Sequence, residues 1–478
     1  MPRQIALYLC LAFILWLYAR DRTSRPMTSN MLWIVLAWIM IIGSKPFSLW
    51  FGGGVAPETQ DDYLEGSPLD RYVFLALIVV GLVALFRRKM AWGRLVSSNG
   101  WLVAFFLYYG ISIFWSDYPF VAFKRWTKDL GNIVMILVVL TESDPIRAFE
   151  AVLARFAYFA VPLSTVFIKY FPEIGRYYNR WTWEPSFCGI TTNKNELGGV
   201  LFVSGLYLLW DLFGRRDAAQ PRRDRKDLLG RWALVAMLFW LLAVADSSTA
   251  VVCLIVGTGI ILFTNRPQAR KHLQHLGAYS LTFGIVVLLL YSAPGLSEAF
   301  FSLVGRNSTL TGRTDLWADL LKEPINPLLG AGYKSFWLGA GAEHMWAKYS
   351  FHPVQAHNGY LETYLNGGLI GASLLLAMII SAGGKLKQEM LQGSSFGTLR
   401  FAFLVVTVFY NWTEAMFNAM SLVWMVVLIA ALNYRHRPLP SVQHAETRQV
   451  NLQLKSPAIS RPTPLPRERK VLDPAYRK

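Results

Sequence analysis

The sequence predicts an all-α fold: a polytopic integral membrane helix bundle of about 12–13 transmembrane helices, with one long outer loop that holds short helices. Three observations predict it. Of 478 residues, 54% are hydrophobic and only 16% are charged, against about 25% charged in an average soluble domain. Mean hydropathy is +0.34. Apolar runs approaching the ~20 residues of a membrane span recur along most of the length. This apolar content excludes disorder for most of the chain. The 18 Trp suit anchoring at a membrane interface.

In chain order, spans are expected near 4–19, 31–50, 71–86, 100–115, 129–141, 150–170, 196–213, 231–245, 247–263, 277–292, 358–380, 399–411 and 418–433. The first begins Met1-Pro-Arg-Gln without a small-residue cleavage site. It therefore reads as an anchor rather than a removed signal peptide. Residues 1–292 form an N-terminal transmembrane bundle, 293–357 a large outer loop, 358–433 the C-terminal transmembrane helices, and 434–478 a disordered basic tail rich in Pro.

The formal net charge is +17. In a soluble protein such an excess points to nucleic acid. Here the cations cluster between spans, in 87–94, 214–231, 264–271 and the tail. Counting spans places all four on one side, the cytoplasmic one by the positive-inside rule. Membrane lipid, and no nucleic acid, is thus the expected partner. Cys10, Cys188 and Cys253 are far apart and give neither a disulfide framework nor a CxxC site.

The loop at 293–357 is long for a connection, and such loops are mostly functional. Within it, Leu316, Trp317, Leu320 and Leu321 share one helical face, and Pro324 stops the helix. A short amphipathic helix is expected there, on the membrane surface or capping the bundle.

Several cations break the positive-inside pattern. Lys124, Arg125 and Lys128 fall between spans four and five; Arg176, Arg180 and Lys194 fall between spans six and seven. Either one span is miscounted, or these are snorkelling interfacial residues, or they form an outward anion site, for which the planar Arg fork is well suited. Trp115, Tyr118, Trp126, Tyr177, Tyr178, Trp181 and Trp183 lie nearby and can stack on sugar rings, as they can also form an interfacial belt. Thr192 or Asn193 can N-cap the next helix, and Glu196 suits its positive end. Lys194 is less well placed at a helix N-terminus unless an anion binds there.

The end of the long loop reads His357-Asn-Gly-Tyr-Leu-Glu-Thr-Tyr-Leu-Asn-Gly-Gly-Leu-Ile-Gly371, with Gly367 and Gly371 spaced for close helix packing. His357, Asn358, Gly368 and Gly371 fit a pattern of His, an Asn-type residue, nine residues, Gly, two residues, Gly. Gly312-Arg313-Thr-Asp-Leu-Trp317, Asn326-Pro-Leu-Leu-Gly330-Ala-Gly332, Thr192-Asn-Lys-Asn195 and Ser247-Ser-Thr-Ala250 accompany it. With these motifs the sequence resembles the O-antigen ligase and polymerase superfamily of bacterial membrane glycosyltransferases, and within it the exopolysaccharide-production, ExoQ-like branch. The resemblance covers residues 190–372 well.

The resemblance implies a GT-C-like, metal-free and cofactor-free enzyme of the bacterial inner membrane with its site facing the periplasm. A glycan on undecaprenyl pyrophosphate would pass, with inversion, to an acceptor hydroxyl. The partners implied are that lipid-linked oligosaccharide, a glycan or lipid-linked acceptor, a flippase and a chain-length regulator. Polymerases extend repeat units; ligases use the lipid A core.

Residue chemistry fits this. A pyrophosphate leaving group needs charge compensation more than protonation. Arg313, Arg125, Lys124, Arg176, Arg180 and Lys194 are the candidate cations, with Asn193 and Asn358 as polar neighbours. The acceptor hydroxyl needs a base, and His357 suits neutral pH. Arg313 can alternatively pair with Asp315 or Asp319. Glu414, at the outer end of span twelve, either lines the site or is an exposed interfacial residue, and the same holds for Asp246, which tops the turn between spans eight and nine. His344 and His352 share the loop, but no HExxH or carboxylate cluster accompanies them, so no metal is expected. No GxxxxGK[ST] loop and no Asp-x-Asp motif occurs, which argues against nucleotide-driven chemistry. A polytopic transporter or polysaccharide export component is the alternative of another class; it would favour paired midplane charges and repeated halves.

Overall fold

A computed structural model describes residues 1–24, 29–51, 66–88, 90, 92–178, 184–215, 224–264, 266, 268–275 and 313–433. The expected span 277–292, the tail 434–478, Arg180 and Gly312 lie outside these residues. The described part is all-α except for one two-stranded antiparallel hairpin.

The helices are α1 (Arg3–Ser24), α2 (Leu32–Ile42), α3 (Phe47–Phe51), α4 (Pro68–Arg87), α5 (Trp92–Ser98), α6 (Gly100–Ile111), α7 (Pro119–Leu140), α8 (Pro145–Tyr170) and α9 (Pro172–Gly175). The hairpin β1 (Arg176–Tyr178) and β2 (Pro185–Phe187) follows, with Tyr177 opposite Ser186. Then come α10 (Lys194–Leu209), α11 (Arg225–Ala245), α12 (Ser248–Thr264) and α13 (Ala269–Leu273). The long loop contributes α14 (Arg313–Leu320) and α15 (Ala340–Lys348). The last three are α16 (Gly359–Leu391), α17 (Ser395–Tyr410) and α18 (Leu422–Ala431).

Among the described residues, six helices are long and apolar enough to cross a membrane: α1, α4, α8, α10 with its π-helical extension to Gly214, α11 and α16. The pair α5 and α6, bent by 94°, would make a seventh. The apolar helices α2, α12, α17 and α18 are shorter. Helix α7 is 22 residues long, but cations interrupt its first half. The protein is therefore a multi-pass, all-α membrane protein. Lys124, Arg125 and Lys128, expected between spans, lie on α7 itself. Pro119 starts this helix at a position where a missing N–H costs nothing.

Helices start where sequence chemistry offers a cap. Ser67, Asp144, Asn193, Asn358, Ser394 and Ser421 each accept a hydrogen bond from the first turn of their helix. Packing centres on α8 and α10, which are buried over most of their length. Trp38 of α2, fully buried, donates to Asn132 Oδ1 of α7 at 2.8 Å.

The ends of the bundle differ in character. At one end Arg88 pairs with Glu142 at 2.6 Å, Arg215 with Asp211 at 3.0 Å and with Glu150, and Arg400 with Glu389 at 2.9 Å. Lys387 there donates to the Gln274 carbonyl, and Asn99 to the Asn433 carbonyl. The segments around 88, 142, 215, 274, 389 and 433 therefore share an end. The other end holds the hairpin, the starts of α10 and α12, and the long-loop helices. There the loop makes its own small core, in which Leu316 and Leu320 pack with Phe336, Trp337 and Met345. Trp317 is half-buried, and Leu321, past the end of α14, is exposed.

One splice positions the loop. Helix α16 is broken at Gly368, whose φ of +60° and ψ of −163° suit glycine almost alone. The backbone of 326–332 runs through the break. Ala331 and Gly332 donate to the Leu365 and Asn366 carbonyls at 2.9 and 3.0 Å. Leu369 and Ile370 donate back to the Pro327 and Leu328 carbonyls at 2.9 and 3.2 Å. The groups orphaned by the break are thus paired. A Cβ on Gly368 would collide with the Leu328 carbonyl, and one on Gly330 would lie 2.5 Å from the Gly368 nitrogen. Gly367 and Gly371 pack on the Tyr109 ring and hydroxyl, the close approach their spacing predicts.

Candidate functional site

The start of α16 is fixed from two directions. Asn358 caps it by accepting from Tyr360 and Leu361, both at 3.0 Å. Gly359 donates to the Asn411 carbonyl at 2.8 Å, and Asn411 Oδ1 accepts from Met416 and Phe417. The turn after α17 is thereby locked beside the end of the loop. His357 sits at this junction in left-handed backbone, φ +49°. For a residue other than glycine that conformation costs of order 1 kcal/mol and is often found at functional sites.

This turn sets His357 against Glu414. The imidazole Nδ1 lies 3.6 Å from Glu414 Oε2. Glu414 Oε1 accepts from Arg313 Nη2 at 3.1 Å, and Arg313 Nη1 donates to the Thr413 carbonyl. The Glu414 side chain is 5% exposed and that of His357 28%. Neither His357 Nδ1 nor Glu414 Oε2 has a hydrogen-bond partner. Their gap is just beyond hydrogen-bond range, and such contacts tighten in a substrate complex. The arrangement is a carboxylate behind a histidine, anchored by an arginine. With the Nδ1 proton directed to Glu414, Nε2 is left as the accepting nitrogen.

The other expected residues divide into three groups. Arg125 reaches the loop, donating to the Lys334 carbonyl at 2.7 Å. Lys194 pairs with Asp246 at 3.6 Å, which gives this cation at a helix start a carboxylate neighbour. Asn193 is the α10 cap, accepting from Asn195 and Glu196 at 3.1 and 2.9 Å, while Glu196 accepts from Thr192. The α10 and α12 starts adjoin the Glu414 turn: Tyr410 donates to the Asn195 carbonyl at 2.6 Å, and the Thr249 and Thr413 hydroxyls are 3.2 Å apart. Two residues are turned elsewhere. Arg176 directs Nε and Nη2 at the Ile168 carbonyl, 2.9 and 2.8 Å, closing the end of α8. Lys124 lies over the Phe120 ring of its own helix.

Arg313 pairs with neither Asp315 nor Asp319. Asp319 instead holds Tyr349, Lys348 and Lys322, and these hydrogen bonds keep its carboxyl well below the usual range. His344 pairs with Glu323, and His352 stacks on Trp346. Among the described residues no group of three or more His, Cys, Asp or Glu side chains is arranged to hold a metal.

Beside His357 is a cavity of about 260 Å³ that sequence reasoning missed. Glu362 forms one wall, held by Trp337 Nε1 at 3.0 Å, the Ala356 N–H at 2.9 Å and Asn366 Nδ2 at 3.1 Å. Lys334, also in its lining, is another cation in the outer loop. The break in the positive-inside pattern that singled out Arg125 applied to it equally.

The fold and the site define a class: a multi-pass helical membrane protein whose loop histidine is backed by a buried glutamate and arginine. A sequence model of the family described as O-antigen ligase matches residues 232–376. That segment includes Arg313, His357 and Asn358; Glu414, Lys194 and Arg125 lie outside it. The "Exopolysaccharide production protein ExoQ" of Rhizobium meliloti (strain 1021) is 27% identical over 308 residues, 60% of this chain and 65% of that protein. The similarity thus spans just under two thirds of that relative's length. The chain is thus similar to the O-antigen ligase family over residues 232–376 and to the ExoQ protein over 308 residues.

Proposed function

We propose that the protein is a membrane glycosyltransferase that transfers undecaprenyl-pyrophosphate-linked glycan on the periplasmic face, polymerising exopolysaccharide or O-antigen repeat units. The observation that carries this is the His357–Glu414–Arg313 arrangement. His357 Nε2 takes the proton of the acceptor hydroxyl. The oxygen attacks the anomeric carbon with inversion. The bond from that carbon to the pyrophosphate oxygen breaks, and the carrier leaves with the electron pair. Glu414 faces the imidazolium so formed.

Arg313 uses two of its five N–H groups on Glu414 and Thr413 and keeps the others for the leaving pyrophosphate. It is therefore a positioning residue first. Lys194 supplies further charge compensation, while Arg125, which donates to the Lys334 carbonyl, lines the neighbouring cavity. Arg176, committed to the Ile168 carbonyl, has no part in this step. The cytoplasmic side is taken as the end bearing the basic clusters, which leaves the His357 end outside.

Deleting the gene and weighing undecaprenyl-linked glycans by mass spectrometry tests the reading. Accumulation of single repeat units with loss of long polymer supports a polymerase. Long polymer persisting on the carrier, with none on its final acceptor, would replace that reading with the ligase that uses the lipid A core. Unchanged lipid-linked glycans would reject both and favour a transporter or export component.

A further inference from the structure

The cavity next to His357 carries chemistry of its own. Its lining includes Ala415, next to Glu414 in the chain, and Gln355, two residues before His357. At about 260 Å³ it is below the range of pockets for drug-sized ligands and accommodates one sugar ring rather than a chain. Tyr333 and Trp337 bring aromatic rings to the lining and Asn418 an amide, while the Asn366 amide is committed to Glu362 and the Phe336 N–H.

Two features of its lining bear on what it can hold. Lys334 and Asn418 both line it, and both have left-handed backbone, φ +49° and +58°. Such strain persists only where the surrounding structure enforces it. Each also has one polar atom without a hydrogen bond. Asn418 Oδ1 is buried without a hydrogen bond. Among the described residues the Lys334 ammonium makes no hydrogen bond or ion pair; it lies 5.3 Å from the centre of the Tyr333 ring.

We propose that this cavity binds a single pyranose of the glycan substrate that bears a carboxylate, with Lys334 and Arg125 receiving the anion. Charge favours a carboxylate over the carrier's pyrophosphate. Arg125 and Lys334 against Glu362 give the lining a formal charge of +1, and the two further charged groups that act on Lys334, Lys128 and Asp129, are of opposite sign. One carboxylate balances this; a pyrophosphate ester would place excess negative charge beside Glu362. The proposal rests on the glycosyltransferase reading, but its test needs no turnover, so the two fail separately.

Burial brings the Lys334 ammonium down to about 8, against the raising influence of Asp129 and Glu362 and with the lowering influence of Lys128 and Arg125. Anion binding is therefore full below that pH and declines above it.

Full-length protein in lipid nanodiscs is titrated with methyl glucuronide, methyl glucoside and inorganic pyrophosphate, followed by saturation-transfer NMR. The glucuronide is expected to bind at least about tenfold more tightly than the glucoside, the gain of one charge-assisted contact. Lys334→Asn, which tolerates left-handed backbone, should abolish that preference and still bind the glucoside. Lys334→Arg should keep the preference at pH 9, where that of the wild type is weaker. Equal binding of the two sugars, or binding of neither at tens of millimolar, would overturn the proposal. Pyrophosphate binding that Lys334→Asn removes, with no glucuronide preference, would overturn it in favour of the carrier headgroup.

Discussion

Each of the three central side chains is useful only through its neighbours. His357 at a membrane surface is an ordinary residue. What changes its prospects is the Glu414 carboxylate 3.6 Å from Nδ1 and the arginine that fixes that carboxylate. Glu414→Gln should keep the shape and lose the charge opposite the imidazolium. We expect kcat to fall about 10²-fold or more with KM near the wild-type value, the pattern of an interaction made in the transition state. Arg313→Lys keeps a charge but cannot serve the Thr413 carbonyl and Glu414 with one planar fork. It should lose most of kcat, read in the same assay. His357 and Arg313 were legible from their motif spacing, and Glu414 from its place at the end of a span. Their mutual contacts were not, because Arg313 and Glu414 lie 101 positions apart. Nor could a sequence show that Arg176 is committed to a main-chain carbonyl, since any residue supplies one.

At the scale of elements, the apolar runs and caps account for most of the bundle. The face of Leu316 and Leu320 and the cap by Asn193 were readable from spacing alone. Helix α7 was not, in its first half. Its cations interrupt the apolar run and imitate a connection, whereas Arg125 turns to the loop and Lys128 lies 4.8 Å from the Phe74 ring. The splice through α16 was also hidden. Its motif glycines are visible, but their reason is a backbone crossing that only the fold creates. Gly368→Ala should lower Tm by several degrees and cut activity, because the strained conformation costs of order 1–3 kcal/mol before any collision with Leu328 is counted. Thermal unfolding in detergent with a transfer assay reads both.

For the whole molecule, charge organises the bundle. Among the described residues, Arg88, Arg215 and Arg400 meet their acidic partners at one end, and the loop site occupies the other. Cys10, Cys188 and Cys253 are buried, which leaves a quiet background for labelling. A cysteine replacing Ala340 should react with an impermeant maleimide in intact cells, and one replacing Arg225 only after the membrane is opened. Labelling of both from the same side would break the orientation on which the proposed reaction depends.

The most direct test of the central claim is transfer by purified protein in proteoliposomes supplied with undecaprenyl-pyrophosphate-linked repeat units. The wild type should lengthen the glycan and release one carrier pyrophosphate for each bond formed. His357→Ala, folded and inserted normally, should be slower by about 10²–10⁴-fold, the usual contribution of a positioned base. Equal rates for the two proteins would contradict the account.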